Sequence, residues 1–260
     1  AVIIDPVLDF DYKSGRTGTR NANRVLHWIE RQALTVKWIL ETHAHADHLS
    51  AASYLRDQIG GQMGIGEHIT KVQQTFKKVF NLDASFLPNG SQFDHLFKHN
   101  ELLQVGNMTI RVIHTPGHTP ADLAYIINEQ AAFVGDTIFM PDVGTARCDF
   151  PGGDANTLYD SIQALFTLPD TTDIYVCHDY PTEGRGHQFK TQVIQQKQHN
   201  IHVNDTMTKS AFVTLRQQRD ATLPMPRLIL PAIQINIRAG QMPAPEDNGT
   251  VYLKIPINLL

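Results

Sequence analysis

With 260 residues, the chain has the length of one large domain, or of one domain with a modest appendage. Its 42% hydrophobic content can fill a core, and 18% charged residues exclude a disordered, solvating chain. A net charge of −4 without clustered Lys or Arg speaks against a nucleic-acid surface, and no apolar run approaches the roughly 20 residues that span a bilayer.

The opening AVIID reads as an apolar strand rather than a basic leader segment. A helix is predicted over 19–33, with Thr19 as N-cap and Val25, Trp28, Ile29 and Gln32 at helical spacing. VKWIL (36–40) is a buried strand that ends at Glu41 before a histidine-rich loop. Residues 49–59 read as a helix stopped by Gly60-Gly61, 62–65 as a short strand, and 69–80 as an amphipathic helix with Val72, Phe76, Val79 and Phe80 on one face. Three short strands follow at 108–115, 123–127 and 131–134, separated by Pro, Gly and Asn-Glu turns. A helix capped by Asp154 is expected to 168, a buried strand at 174–177, and largely polar helices at 188–199 and 209–220. From Pro224 on, eight prolines or glycines interrupt extended apolar residues, and 224–260 reads as a wrapping segment without regular structure. Interleaved helices and strands followed by hairpins predict an α+β chain with mixed sheets, folded as a single domain over 1–260. The two cysteines, Cys148 and Cys177, form no disulfide framework and fit a reducing, cytoplasmic setting.

The 13 histidines carry the chemistry. His43, His45, Asp47 and His48 fall within six positions directly after a strand. Imidazole and carboxylate are the preferred ligands of zinc and of non-haem iron. His43 and His45 are two apart in extended backbone and share a face, while Asp47 and His48 sit where the next helix begins. The two pairs can therefore serve two adjacent metals. Three later strand ends supply matching donors: His118 in HTPGHTPADLA, Asp136 in FVGDT and His178 in VCHDY. His114 lies inside a strand before Pro116 and is expected to pack or cap the turn. Asp122 and Asp179 are expected to serve as turn residues or to hydrogen-bond the ligands. His27, His68, His95, His99, His187, His199 and His202 have no evident partners and read as solvated.

HAHADH followed by His118, Asp136 and His178 resembles the metallo-β-lactamase superfamily over nearly the whole chain. The resemblance implies an αββα sandwich of two mixed β-sheets flanked by helices, with metal at one edge. It also implies a strand hairpin ahead of AVIID, so outer strands of the first sheet are expected to be missing. All seven metal-ligand positions of the superfamily are occupied. In its two-zinc hydrolases, His43, His45 and His118 would bind one ion, Asp47, His48 and His178 the other, with Asp136 bridging. In its persulfide dioxygenases, one Fe(II) per chain would sit on His43, His118 and Asp136, a two-His, one-carboxylate set with open positions for substrate and O₂. His45, Asp47, His48 and His178 would then orient ligands and water, or form an unfilled second site.

The segment TIFMPDVGTARCDFPGGDANTLYDSI, with Arg147, Asp149 and Phe150, resembles the dioxygenase branch, and so does PAIQINIRAG with Asn236, Arg238 and Gly240. Cys148 replaces a more usual Thr there, and the tail from Pro243 extends beyond shorter relatives. The implied partners are a low-molecular-weight persulfide, with glutathione as its carrier, and O₂. The implied products are sulfite and thiol. Arg147 and Arg238 would bind carboxylates of the carrier, and Tyr180 would line the pocket. The resemblance leaves room for a homodimer. A two-zinc thioesterase of the glyoxalase II type is the alternative enzyme. A non-catalytic metal-dependent sensor is the alternative of another class.

Overall fold

Short apolar stretches broken by polar turns set the order of elements. The computed structural model describes residues 1–259. Its first part runs β1 (Val2–Ile4), β2 (Val7–Asp11), β3 (Arg16–Gly18), α1 (Arg20–Arg31), β4 (Trp38–Leu40), β5 (Leu49–Ser50), α2 (Ala52–Ile59), β6 (Gln62–Gly66), α3 (Ile69–Val79) and β7 (His95–Phe97). It continues with β8 (Leu102–Val105), β9 (Met108–His114), β10 (Leu123–Ile127), β11 (Ala131–Phe133), α4 (Ala155–Leu165), β12 (Asp173–Tyr175), β13 (Lys190–Gln192), α5 (Val193–His199), α6 (Lys209–Asp220) and α7 (Ile229–Asn236). The chain divides into two compact units, one of residues 1–96 with the segment from Pro224 on, the other of residues 97–223.

In the first unit, β1 and β6 flank β4 in parallel, with Ile3 opposite Ile39 and Ile39 opposite Met63. Parallel strands require crossovers, and α1 and α2 lie in them. Ile39 and Leu40 are fully buried, as a strand covered on both faces should be. A small antiparallel sheet of order β3-β2-β5 stands beside them in the same unit. Helix α3 buries Ile69, Val72, Gln73 and Phe76, the i, i+3, i+4, i+7 stripe of an amphipathic helix.

In the second unit, a six-stranded sheet has the order β13-β12-β11-β10-β9-β8. The β11–β12 pair is parallel and α4 forms its crossover. Asp154 caps α4 by accepting from Thr157 N, as expected. Ile113, Ala124, Ile126 and Ala132 of the sheet pack with Leu158 and Ile162 of α4 and with Phe212 of α6.

Four sequence expectations need correction. The helix read over 49–59 starts at Ala52, because Leu49 and Ser50 pair with Leu8 and Val7 of a strand far away in sequence. The helix read over 188–199 is divided, because Lys190–Gln192 adds to the sheet beside β12 before α5 begins. The tail contains α7, where no regular structure was expected. Its Pro231 falls in the first helical turn, where a missing N–H costs nothing. Trp28 is 51% exposed and not part of the buried stripe of α1, which is carried by Ala22 and Ile29.

Candidate metal centre

The loop of residues 41–48 leaves the end of β4, and its ring orientations follow from hydrogen bonds to β1. Asp5, just past β1, accepts from Thr42 N at 2.7 Å and from Thr42 Oγ1 at 2.8 Å. The hydroxyl's one proton is thereby committed to Asp5. His43 Nδ1, 3.0 Å from the same Oγ1, must then donate to it, and His43 Nε2 carries the lone pair a metal needs.

His45 is placed differently. Its Nε2 lies 3.0 Å from Asp5 Oδ1 and 3.5 Å from Glu41 Oε2, and its side chain is 1% exposed. Burial opposes its charge, but Asp5 and Glu41 outweigh that, and its pKa is held well above the usual histidine value. Burial and the neighbouring Asp5 push Glu41 up to about 7, while Asp5, though burial opposes it, is drawn below the usual range by His45 and Thr42. Asp47 accepts from His48 Nδ1 at 3.0 Å, and His48 Nε2 is buried with no hydrogen-bond partner among the described residues. Burial, then the charge of His45, lowers the pKa of His48 and keeps it neutral. His45, Asp47 and His48 offer donor atoms within 4.8 Å of one another.

The loop is fastened from the other end of the chain. Asn236, the last residue of α7, donates to the carbonyls of His45 and His48, both at 2.8 Å, and accepts from Ser50 N at 2.8 Å. Asp5 and Glu41 escaped the sequence reading, although the signal was present. They follow Ile4 and Leu40, which stand opposite each other in the parallel β1–β4 pair, so both carboxylates leave the sheet at one edge.

In the second unit, three strand ends meet as expected. His118 Nε2 lies 3.6 Å from Asp136 Oδ2, and His178 Nε2 lies 3.5 Å from Asp136 Oδ1. Two ligands held at about 2.1 Å from one ion stand roughly 3.0–3.4 Å apart, so these spacings suit a shared metal better than a direct hydrogen bond. His118 Nδ1 donates to the Arg147 carbonyl at 2.7 Å, which again turns Nε2 and its lone pair toward the carboxylate. Phe150 meets the His118 ring edge-on with centroids 4.9 Å apart. The donor set and its tautomers therefore fit a metal.

Asp122 is a turn residue, accepting from Thr119 N at 2.6 Å and Thr119 Oγ1 at 3.0 Å, and burial pushes its pKa up to about 7. Asp179 pairs with Arg185 at 2.7 Å. Cys148 is a buried thiol with its pKa pushed up by burial, and Cys177 is an exposed one. His202 is not solvated: it is 5% exposed, and its Nδ1 accepts from Thr145 N at 3.0 Å.

Of the residues expected to meet substrate, Arg147 grips Asp149 through Nε and Nη2, both at 2.6 Å, and lies over the Phe150 ring. Arg238 lies 4.5 Å from the Phe86 ring centroid, and burial lowers its pKa. Tyr180 is 61% exposed and stacks on His178 with centroids 5.9 Å apart.

The profile of the Metallo-beta-lactamase superfamily matches residues 1–178. The chain belongs to this superfamily. It is 50% identical to a Burkholderia pseudomallei protein described as "Probable metallo-hydrolase", over 99% of the chain and 91% of that relative. It is equally close to "Glyoxylase B2" of Dictyostelium discoideum, 50% identical over 99% of the chain and 89% of the relative. "Persulfide dioxygenase ETHE1, mitochondrial" of Mus musculus is more distant, at 27% identity over 94% of the chain and 81% of the relative. Among solved structures, ETHE1 from Myxococcus xanthus superposes with a TM-score of 0.72 at 29% identity, covering 93% of this chain and 89% of that one. The superfamily member thus has the metallo-β-lactamase fold and His/Asp clusters that could hold a metal. No helix among the described residues is long and apolar enough to cross a membrane.

Proposed function

We propose that the chain is a persulfide dioxygenase with one non-haem Fe(II), held by His43, His118 and Asp136. The carrying observation is the placement of His45. A two-zinc hydrolase would need this imidazole on its first metal, yet here its Nε2 lies against Asp5 and Glu41 and its donor atoms group with Asp47 and His48. Removing His45 leaves the two-His, one-carboxylate set that suits oxygen chemistry. The likeness to ETHE1 proteins supports the same reading.

Bound Fe(II) would supply the redox chemistry that joins O₂ to the persulfide sulfur, in the balance R–S–SH + O₂ + H₂O giving R–SH + SO₃²⁻ + 2 H⁺. Thr42 and the Arg147 carbonyl fix the tautomers of His43 and His118, so both rings arrive with their lone pairs set. His178 Nε2 faces the Asp136 oxygen that His118 does not. We assign Arg147 and Arg238 to the carboxylates of a glutathione-type carrier and Tyr180 to the pocket wall. Two cysteines outside any disulfide suit work in the cytoplasm.

One observation favours a two-zinc thioesterase instead. The two oxygens of Asp136 face different histidines, as a bridging carboxylate's would, and the relatives at 50% identity carry hydrolase and glyoxylase names. Oxygen uptake and sulfite formation from glutathione persulfide decide the matter, measured on protein loaded anaerobically with Fe(II). The expected result is one iron per chain and persulfide-dependent sulfite. No sulfite from the iron form, with thioester cleavage by the zinc form, would overturn the proposal.

A further inference from the structure

Helix α6 carries a charged pair where a core-facing helix normally carries apolar side chains. Arg216 and Asp220, four residues apart, are 1% and 5% exposed and lie on the face of α6 that also buries Phe212. Burying two charges is costly unless their hydrogen bonds are made, so their partners show what the pair is for. Arg216 Nη2 binds Asp220, and Arg216 Nη1 donates to the Thr145 carbonyl at 3.1 Å. Asp220 Oδ2 accepts from Cys148 N at 2.9 Å. That N–H belongs to the same peptide group as the Arg147 carbonyl, which accepts from His118 Nδ1 at 2.7 Å. One amide is therefore held at both ends, by a carboxylate on its N–H and by an imidazole on its C=O.

We propose that Asp220 is a positioning residue that sets the strength of His118 as a metal ligand, acting through the Arg147–Cys148 peptide group. The inference rests on His118 being a ligand, as proposed above. Histidines on metals commonly donate their other N–H to a carboxylate, which orients the ring and raises its basicity. Here the carboxylate stands one amide away. Its charge draws on the Cys148 N–H, the peptide polarises, and the Arg147 oxygen becomes a stronger acceptor for His118. Arg216 supplies the countercharge and holds the Thr145 end of the same segment. The 145–148 segment thus has its backbone pinned to α6 on both sides of the carbonyl that orients the ligand.

The test is metal affinity by chelator competition, with Zn(II) and Co(II) as probes, on the unmutated protein, Asp220→Asn and His118→Ala. Asp220→Asn keeps the shape and one acceptor oxygen and removes the charge. A merely structural Asp220 would leave affinity unchanged in that variant. The expected result is a loss of about 10–100-fold in affinity, as for removal of other outer carboxylates. The visible Co(II) bands should shift as well. If His118→Ala loses the ion while Asp220→Asn binds as tightly as the unmutated protein, this inference alone is overturned. If His118→Ala also binds as tightly, the ligand assignment falls with it. Should Asp220→Asn not fold, the Cys148 amide proton of the unmutated protein gives the answer by NMR. It should move downfield on Zn(II) addition, and an unmoved signal would overturn the relay.

Discussion

Asp136→Asn preserves shape and removes the one anionic charge from the proposed ligand set. Iron affinity should fall by at least about 10–100-fold, read as iron per chain after dialysis against a weak chelator. Asp47→Asn separates the two enzyme readings. In the iron enzyme the metal should stay while sulfite formation drops, because Asp47 only orients His48. In a two-zinc enzyme the zinc count should drop instead. His202 sets a pH limit on stability. Burial, then the charge of Arg216, lowers its pKa to about 4 in the folded chain, against about 6.5 unfolded. The unfolded chain therefore takes up the proton first on acidification. Stability is complete above about pH 6.5 and is lost as pH falls toward 4, by about 3 kcal/mol at most. Urea midpoints at pH 7.5 and 5 should show this loss, and His202→Gln should flatten the profile. That residue also marks where a sequence reading fails. A histidine between Ile201 and Val203 carries no visible partner, because Thr145 and Arg216 reach it only through folding. The Arg216–Asp220 pair was hidden for the same reason, although Phe212, Arg216 and Asp220 recur at four-residue spacing on one helix face.

Among elements, the His118 loop approaches the backbone of α4 closely. Gly117 has φ +144°, and a Cβ there would stand 2.4 Å from Leu158 Cα, which is helix backbone. Gly117→Ala should cost about 2–3 kcal/mol, seen as a lower urea midpoint at unchanged slope. Asn236→Ala removes three hydrogen bonds to the 45–50 segment, and buried carbonyls without donors are costly. It should destabilise the protein and weaken metal binding, whereas a truncation after Asn248 should leave metal binding unchanged. The elements that the sequence disclosed are those with local signals: α3 by its apolar stripe, α4 by its Asp154 cap, and the three strand ends by donors next to apolar runs. β5 and β13 were missed because each exists through pairing with a distant strand, which overrides local preference. α7 was missed because Pro231 reads as a breaker everywhere except in a first turn.

For the whole molecule, metal removal is the general test. An ion that binds only the folded chain stabilises by mass action, about 2.7 kcal/mol at a hundred times its Kd. Stripping it should lower Tm by roughly 5–10 °C for a chain of this size, and returning Fe(II) or Zn(II) should restore it. The superfamily itself was legible early, because HAHADH and three spaced donors survive any uncertainty about strand boundaries. The choice between iron and zinc was not legible, because one set of His and Asp donors serves either ion.

The link from Asn236 back to His45 spans 191 positions of chain. A ribosome builds the metal loop first and its fastener 191 residues later. Until Asn236 emerges, the His45 and His48 carbonyls and the Ser50 amide lack the partner that holds them in the folded chain. A nascent chain stalled before Asn236 would present the histidines without the geometry that orders them, and would hold metal loosely or exchange it freely. Selection of the ion is therefore deferred until Asn236 has been made, when the loop closes and one arrangement of donors persists.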